Sequence, residues 1–426
     1  MKNKIRFVFV LLLLITPFCK SEAQFWKGRE QKEQKPKPRP IQKAGEKTES
    51  QSKNKRIKII EYPVSRIKAR YRVDILLPLY LDELILEDRP AFKDRLPEKA
   101  LIGMGFYEGI KLAADTLSAL GYNLDIYVHD ITSKGKTPKE LVTSNSLAGT
   151  DLIIGALQSN QIAPIAAYAK EANVNFISAL SPSDADVRDN PFFTLLQPRL
   201  EKHCDKIREV ILKKYTSWNI TLLYRDNNNV DSLAYSYFTD GAGGSLKKTL
   251  CNEMPEKSKL ESLFDSGRVN VIAMPIVENN YVDSILQQLT KWFPGYEFEI
   301  YGMPSWKFIN NLKKTDAYPE MSIIFTSPFY YDYTTPLAQE LLNNHKKQFG
   351  TRPAETVFRG YEVLYWYAYL LQSYGTVFNT KYPDNSTASF TRFDIKPQWA
   401  DGTLLYNENE HIYLYQYRAG SYNVTQ

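Results

Sequence analysis

Apolar segments that alternate with amphipathic segments dominate the sequence from Tyr71 onward and constrain its fold more than any other feature. Val73–Leu79 is an apolar run of strand length, and Leu101–Leu120 has helical spacing that ends at Gly121, a common helix stop. Segments of strand length and helix length continue to alternate as far as Val174–Ser178. Short apolar strands separated by helices predict a parallel sheet that is covered by helices on both faces.

The alternation begins again after Pro198. Glu201–Tyr215 is predicted as a helix and Asn219–Tyr224 as a strand, and the same order repeats as far as Met321–Thr326. Two successive arrays of this kind predict two Rossmann-like lobes, so the predicted fold class is α/β. A chain of 426 residues is long enough for two domains of this size.

The first 23 residues are predicted to form a secretory signal peptide. Met1–Arg6 is positively charged, Phe7–Ile15 is an unbroken apolar run, and small residues precede a cleavage point after Ala23. This pattern predicts export to the periplasm, which is an oxidising compartment. The alternative is lipidation of Cys19, which would anchor the chain to a membrane. The residues before Cys19 match the small-residue pattern of lipidation sites poorly, which favours cleavage after Ala23.

The region from residue 24 to residue 68 is predicted to be a disordered basic linker. Residues 24–58 carry twelve Lys or Arg and only four Glu, and Gln31–Pro40 is rich in proline. Two interpretations remain open, a solvated spacer and electrostatic attachment to an anionic surface. Because the basic residues are concentrated before residue 59, the rest of the chain is mildly acidic, which argues against nucleic acid as its partner.

Several segments of the predicted lobes resemble the type I periplasmic solute-binding proteins, in particular their branched-chain amino-acid-binding branch. The resemblance covers residues 70–426, and its strength lies in the order and spacing of the segments. Those segments are Gly105–Asp115, Asp151–Leu157, Asn173–Pro182, Phe349–Pro353, Arg359–Glu362, Arg392–Asp394, Asp401–Gly402 and Tyr413–Tyr417.

The resemblance implies two lobes joined by three crossover strands, with crossings near Gln197, Pro328 and Thr387. It therefore divides the chain after the linker into two discontinuous domains. Lobe 1 is expected to comprise residues 69–196 completed by 328–386, and lobe 2 is expected to comprise 197–327 completed by 387–426.

Ligands of open α/β sheets bind at the carboxyl ends of the strands, where loops lead into helices. Gln158, Ser159 and Asn160 follow a predicted buried strand of lobe 1, and a helix that begins there would offer N–H groups to an anion. In the family, the matching positions hold the ligand's carboxylate. Ser159 would also serve simply as a helix cap. Ser181 and Ser183 follow the next strand, where a turn without a ligand remains the alternative.

The second lobe departs from the family pattern. The segment 302–306 contains no acid where the family binds the ligand's ammonium group, and only Glu278, in a neighbouring loop, could replace it. Trp306 and Tyr80 lie near predicted strand ends and are candidates for stacking on a ligand, with packing in the core or at the rim as the alternative. The sequence therefore predicts an anion side of the cleft without its cation side.

No motif of an enzyme, cofactor site or metal site is found in the sequence. The four histidines have no metal-ligand spacing, and no G-x-S-x-G segment occurs. We therefore predict a protein that is not an enzyme and needs no cofactor. Cys204 and Cys251 remain in the exported chain, either as one disulfide or as two buried thiols.

Two functions follow from these observations. The first is a solute-binding-like protein whose interlobe cleft takes a small polar or anionic ligand and whose closed form is recognised by a membrane transporter or sensor. The alternative is an envelope interaction or regulatory protein that uses the same fold without a small ligand, with a cell-wall enzyme as its partner. The basic linker and the missing ammonium site favour the second function, and the strand-end loops at Ser159 and Ser181 favour the first.

Overall fold

The structure is a computed structural model of the chain that carries all side chains. The predicted signal peptide, Cys19 and the linker up to residue 58 lie outside the residues that it describes. Those residues are 59–93, 95–216, 219–240, 246–387 and 390–425.

The strands of the described residues form two large mixed sheets and one small hairpin. Their bounds are β1 Tyr71–Leu77, β2 Ile85–Leu86, β3 Arg89–Pro90, β4 Leu124–Asp130, β5 Leu152–Gly155, β6 Asn175–Ser178, β7 Phe193–Leu195, β8 Ile220–Tyr224, β9 Lys247–Leu250, β10 Asn270–Met274, β11 Phe298–Gly302, β12 Met321–Ser327, β13 Ile395–Ala400, β14 Thr403–Asn409, β15 Tyr413–Arg418 and β16 Ser421–Thr425.

Helices connect most of the parallel strands. Their bounds are α1 Leu81–Leu84, α2 Glu98–Ala119, α3 Pro138–Thr143, α4 Ser159–Ala172, α5 Leu200–Lys214, α6 Asn229–Thr239, α7 Lys257–Glu261, α8 Asn279–Trp292, α9 Pro336–Phe349 and α10 Glu355–Tyr374. Three shorter segments, Pro304–Phe308, Asn310–Lys313 and Gly375–Lys381, are 3₁₀ helices.

Each lobe is built on one of the two sheets. In the described residues, lobe 1 has a seven-stranded sheet of order β13-β14-β7-β6-β5-β1-β4, and lobe 2 has one of order β16-β15-β12-β11-β10-β8-β9. The central strands are parallel, so their carboxyl ends meet at one edge of each sheet. Strands such as β5 and β10 are buried along their whole length, because helices cover both faces. The predicted fold class is therefore observed.

Glycines allow the two longest helices of lobe 1 to pack closely. A Cβ atom on Gly109 of α2 would lie 2.0 Å from the carbonyl oxygen of Val357, and one on Gly360 of α10 would lie 2.2 Å from that of Phe106. No side chain fits at such distances, so these two positions require glycine. The helix α10, which follows lobe 2 in the sequence, is thereby fixed against the first lobe.

The chain passes between the lobes at three places in the described residues. The first two crossings, after β7 and after β12, lie near the predicted positions Gln197 and Pro328. The third was expected near Thr387, but β13 and β14 pair with β7 in lobe 1, so this crossing falls between Asn409 and Tyr413. The assignment of residues 387–426 to lobe 2 is therefore wrong for 395–409. The physical reason is that β13 and β14 extend the free edge of the first sheet, and only β15 and β16 extend the second.

The end of the predicted linker is attached to lobe 1. The Ser65 hydroxyl donates to the carbonyl of Tyr374 at 2.6 Å, and the Arg66 carbonyl accepts from the Thr376 N–H at 3.1 Å. Lys68 forms an ion pair with Asp151 at 2.6 Å. Residues 65–68 are thus part of the folded lobe, because they bond to residues of that lobe. The predicted disordered linker, which was expected to end at residue 68, therefore ends earlier in the sequence.

The two cysteines of the folded body are separate, buried thiols in lobe 2. Burial raises the pKa of the Cys204 thiol to about 12 and that of the Cys251 thiol to about 11. Of the two alternatives that the sequence left open, the structure therefore has the pair of unpaired buried thiols. Among the described residues, no helix is both long enough and apolar enough to span a membrane.

Candidate functional site

Two serines of lobe 1 meet at the carboxyl edge of its sheet. Ser159 begins α4 directly after β5, and Ser183 lies in the loop that follows β6. Because β5 and β6 are adjacent parallel strands, the two loops emerge side by side, and the two hydroxyl oxygens lie 2.7 Å apart. Ser159 is exposed and Ser183 is half-buried. Two neighbouring hydroxyls at a helix start can bind an oxyanion together with the first N–H groups of the helix.

The residues around this pair shape the loops. The Gln158 N–H donates to the Gln161 side chain at 3.0 Å, which closes the first turn of α4, and Asn160 is exposed beside it. Ser181 is buried, and its hydroxyl accepts from the Ser183 N–H at 3.2 Å. Ser181 therefore supports the turn rather than facing a ligand. Of the predicted residues in these two loops, Gln158, Ser159 and Asn160 are exposed, whereas Ser181 is buried and supports the turn.

Tyr80 follows β1 at the same edge of the sheet and has a left-handed backbone, with φ of 57°. The Asp130 carboxylate holds this turn by accepting from the N–H groups of Leu79 and Leu81 at 2.9 and 2.8 Å. Burial alone would raise the pKa of Asp130, but hydrogen bonds from Thr132 and the backbone lower it below its usual value. The charged Asp130 therefore fixes the position of Tyr80, a role that the sequence analysis did not assign.

A cation lies near the acid that follows Ser183 in the sequence. The Arg199 guanidinium is 3.7 Å from the Asp184 carboxylate, which directly follows Ser183. It also forms an ion pair with the buried Glu408 at 3.0 Å. Burial would lower the pKa of Arg199, but the Glu408 charge raises it above its usual value. Arg199 therefore remains charged and offsets the acid beside the serines.

The corresponding edge of lobe 2 is occupied by a charge cluster. Arg225 follows β8, and its guanidinium lies 2.7 Å from the Glu278 carboxylate and 3.5 Å from that of Asp231. The Arg225 side chain is only 9% exposed and stacks on the Tyr281 ring at 4.2 Å. Glu278, the predicted substitute for the family's ammonium-binding acid, is therefore already paired with a cation of the same lobe.

Trp306 does not reach the cleft surface. Its side chain is 0% exposed, and its indole N–H donates to the Ile276 carbonyl at 2.9 Å. The ring folds back over Gly302, where a Cβ atom would lie 2.0 Å from it. Of the two alternatives that the sequence left open for Trp306, the structure therefore has core packing, because the missing side chain at Gly302 lets the ring enter the core of lobe 2.

Sequence reasoning missed Arg199 and Arg225, the two cations at the strand ends. Each forms its ion pairs with residues that are distant in the sequence, and such partners cannot be read from spacing. Among the described residues, no three or more His, Cys, Asp or Glu side chains are grouped so as to hold a metal ion.

No protein-family model matches the sequence, and no curated protein matches it. Solved structures do match the fold. An ABC transporter substrate-binding protein from Desulfitobacterium hafniense in complex with leucine has a TM-score of 0.54 and 14% identity. The match covers 84% of this chain and 100% of that protein. A branched-chain amino acid ABC transporter periplasmic ligand-binding protein from Burkholderia xenovorans has a TM-score of 0.56 and 14% identity. The match covers 84% of this chain and 94% of that protein.

The C-domain of LpoA from Haemophilus influenzae, a regulator of PBP1A, matches with a TM-score of 0.53 and 14% identity, covering 83% of this chain and 100% of that domain. The chain therefore has the type I periplasmic binding-protein fold, as the resemblance implied. The proteins that share it here are solute-binding proteins and a regulator of PBP1A.

Proposed function

We propose that the chain is an exported, non-catalytic binding protein of the periplasm that holds a small polar or anionic ligand in its interlobe cleft. The observation that carries this proposal is the contact between the Ser159 and Ser183 hydroxyls, 2.7 Å apart at the start of α4. Helix starts and paired hydroxyls favour carboxylates and similar oxyanions.

The ligand should lack an ammonium group. A zwitterion that is buried between the lobes needs a partner for each charge, since an unpaired buried charge is costly. Glu278 is the candidate acid on the lobe 2 side, and it is 2.7 Å from Arg225. An ammonium group bound there would have to share the Glu278 carboxylate with Arg225.

Closure of the lobes would convert ligand binding into a signal. Lys307 of lobe 2 and Glu355 of lobe 1 form an ion pair, so side chains of the two lobes already meet. A ligand that contacts both lobes would favour the closed arrangement by its differential affinity, and a membrane transporter or sensor would recognise that form.

A thermal-shift screen of carboxylates, sugar phosphates, sugars and amino acids, with native mass spectrometry of the purified chain, tests this function. An anionic ligand at a hundred times its Kd should stabilise the chain by about 2.7 kcal/mol. Ser159→Trp should abolish that stabilisation with little loss of fold, whereas Ser262→Trp, at an exposed serine outside the site, should not. Equal stabilisation of both variants would refute the serine site.

The second candidate is an envelope interaction protein that regulates a cell-wall enzyme without a small ligand. It is favoured by the pairing of Arg225 with Glu278 and Asp231 and by the fold shared with the LpoA C-domain. Absence of any thermal shift in the screen, together with co-purification of an envelope enzyme, would support this function against the first.

A further inference from the structure

A pocket of about 340 Å³ lies between lobe 1, lobe 2 and the hinge segment, residues 328–335, which follows β12 at the second crossing. It shares no residue with the serine site. Its volume falls within the roughly 300–1,000 Å³ of small-molecule sites. Tyrosines dominate its wall. Those of the hinge segment are Tyr330, Tyr331 and Tyr333, and those of lobe 2 are Tyr415 of β15 and Tyr422 of β16.

The lobe 2 tyrosines are held rigidly by the core beneath them. The ring of Tyr415 stacks on that of Phe325, with centroids 5.6 Å apart and planes 5° from parallel. Tyr422 packs edge-on against the same Phe325 ring at 6.2 Å, yet 41% of the residue is exposed. Across the pocket, the centroid of Tyr330 lies 5.9 Å from that of Tyr415. The pocket is therefore lined by fixed aromatic rings.

Charged groups border the aromatic wall. Lys307 of lobe 2 and Glu355 of lobe 1 form an ion pair at the pocket. Asp332 accepts from the Thr334 hydroxyl at 2.6 Å, and this hydrogen bond lowers the pKa of Asp332. Burial raises the pKa of the Tyr415 and Tyr422 phenols, so both remain neutral. Their hydroxyls donate to the carbonyls of Phe329 and Leu312 at 3.5 and 3.4 Å and can still accept from a ligand. The pocket thus combines flat apolar faces with several hydrogen-bonding groups.

We propose that this pocket binds a carbohydrate chain. A sugar ring has an apolar face of C–H groups that stacks on aromatic rings and a rim of hydroxyls that needs both donors and acceptors. The tyrosine rings supply the stacking surface, and the phenols, Asp332 and the Lys307–Glu355 pair supply the hydrogen bonds. A lipid chain would leave these charged groups without partners, and a phosphorylated ligand would meet two carboxylates and one paired cation.

The position of the pocket would couple sugar binding to the angle between the lobes. Its wall includes Glu355 of lobe 1, Tyr422 of lobe 2 and the segment that joins them. Tyr331 is anchored through its hydroxyl to the buried Glu362 of α10 at 3.1 Å. A bound saccharide that touches both sides would therefore favour one lobe angle. This site does not depend on the function proposed for the serine pair.

Isothermal titration calorimetry of the purified chain with maltotriose, cellotriose and chitotriose tests the proposal. We expect at least one trisaccharide to bind with a Kd below about 1 mM. Tyr422→Ala should weaken it about tenfold through loss of stacking, and Tyr422→Phe should bind within about threefold of the unaltered chain. Tyr127→Ala is the matched control, since Tyr127 is 48% exposed and lies on β4, outside the pocket.

The proposal is overturned if no trisaccharide binds with a Kd below about 1 mM. It is also overturned if Tyr422→Ala binds as tightly as Tyr127→Ala at unchanged melting temperatures. Ser159→Trp should leave saccharide affinity unchanged, so failure of the serine site and failure of the saccharide site can be told apart.

Discussion

The carboxyl ends of the parallel strands carry polar groups in both lobes, but the two lobes arrange these groups differently. In lobe 1, Ser159 and Ser183 leave their hydroxyls at an exposed helix start, 2.7 Å apart. In lobe 2, Arg225 is buried among its own acids, with Glu278 2.7 Å away. The first edge retains hydroxyls that a ligand can engage, whereas the two acids of the second edge are engaged by one buried cation.

This difference lies in the side chains of the two strand-end edges and not in their backbones. The sheet and the helix starts of lobe 2 are preserved, but its two acids, Asp231 and Glu278, share the one cation Arg225. A ligand competes with such a pair only if it offers a better partner, because separating buried charges is costly. Specificity therefore depends on the pairing of a few side chains more than on the backbone.

The largest effect is expected for Trp306, which tests whether this part of lobe 2 is core or site. Trp306→Ala should lower the free energy of unfolding by about 3–5 kcal/mol, because it leaves a cavity over Gly302. Urea denaturation measures this loss. Trp399→Ala is the control, since Trp399 is 47% exposed, and it should cost roughly 0.5 kcal/mol. Similar values for the two variants would place Trp306 outside the core.

The next largest effect is expected at the charge cluster of lobe 2. Arg225→Ala leaves the 1%-exposed Asp231 without its cation and should cost about 2–4 kcal/mol of stability. Glu278→Gln removes the half-exposed partner and should cost less than about 1 kcal/mol. Chemical denaturation of both variants measures the two losses of stability, and the loss for Arg225→Ala should be the larger. If the two substitutions cost the same, the cluster is a surface ion pair and the comparison between the edges fails.

The lobes should also differ in their response to acid. Burial lowers the pKa of His203 in lobe 2 to about 3, below the ~6.5 of an unfolded chain. As the pH falls below 6.5, the unfolded chain takes up a proton that the native chain refuses, so stability falls by up to roughly 1.4 kcal/mol per pH unit. Burial alone would raise the pKa of Asp74 in lobe 1, but hydrogen bonds from His129 and Arg72 lower it. The stability that ionised Asp74 contributes to the folded state is therefore lost only below about pH 4.

His203→Leu isolates this contribution. The variant should lose less stability than the unaltered chain between pH 6.5 and pH 4.5, measured as the free energy of unfolding in urea. His411, whose pKa burial also lowers, titrates in both chains and cancels in the comparison. Parallel losses in the two chains would show that His203 does not carry the acid sensitivity of lobe 2.

Much of the fold could be predicted because parallel strands and helices leave a strong periodic pattern. The loops at Ser159 and Ser181 were found for the same reason, since they directly follow buried strands. The third crossing was misplaced because two similar hairpins, β13–β14 and β15–β16, end the chain, and nothing in their sequences tells which sheet each one joins.

The electrostatics of the site could not be predicted, for a different reason. Arg199 pairs with Glu408, 209 positions further along the chain. Trp306 lies near a strand end, so the sequence allowed both a ligand contact and core packing, and only the packing over Gly302 shows that the ring turns inward. Pairings and side-chain directions depend on contacts that the fold creates, so a single sequence does not contain them in readable form.

The central claim is that one edge of the cleft binds an anion, whereas the acid of the other edge, Glu278, is engaged by Arg225 and binds an ammonium group poorly. Calorimetric titration with leucine and with 4-methylpentanoate, which is leucine without its ammonium group, tests this directly. The claim predicts that 4-methylpentanoate binds more tightly than leucine and that Ser159→Trp abolishes its binding. Tighter binding of leucine, lost in Glu278→Gln, would contradict it, because Glu278 would then be available to the ligand despite Arg225.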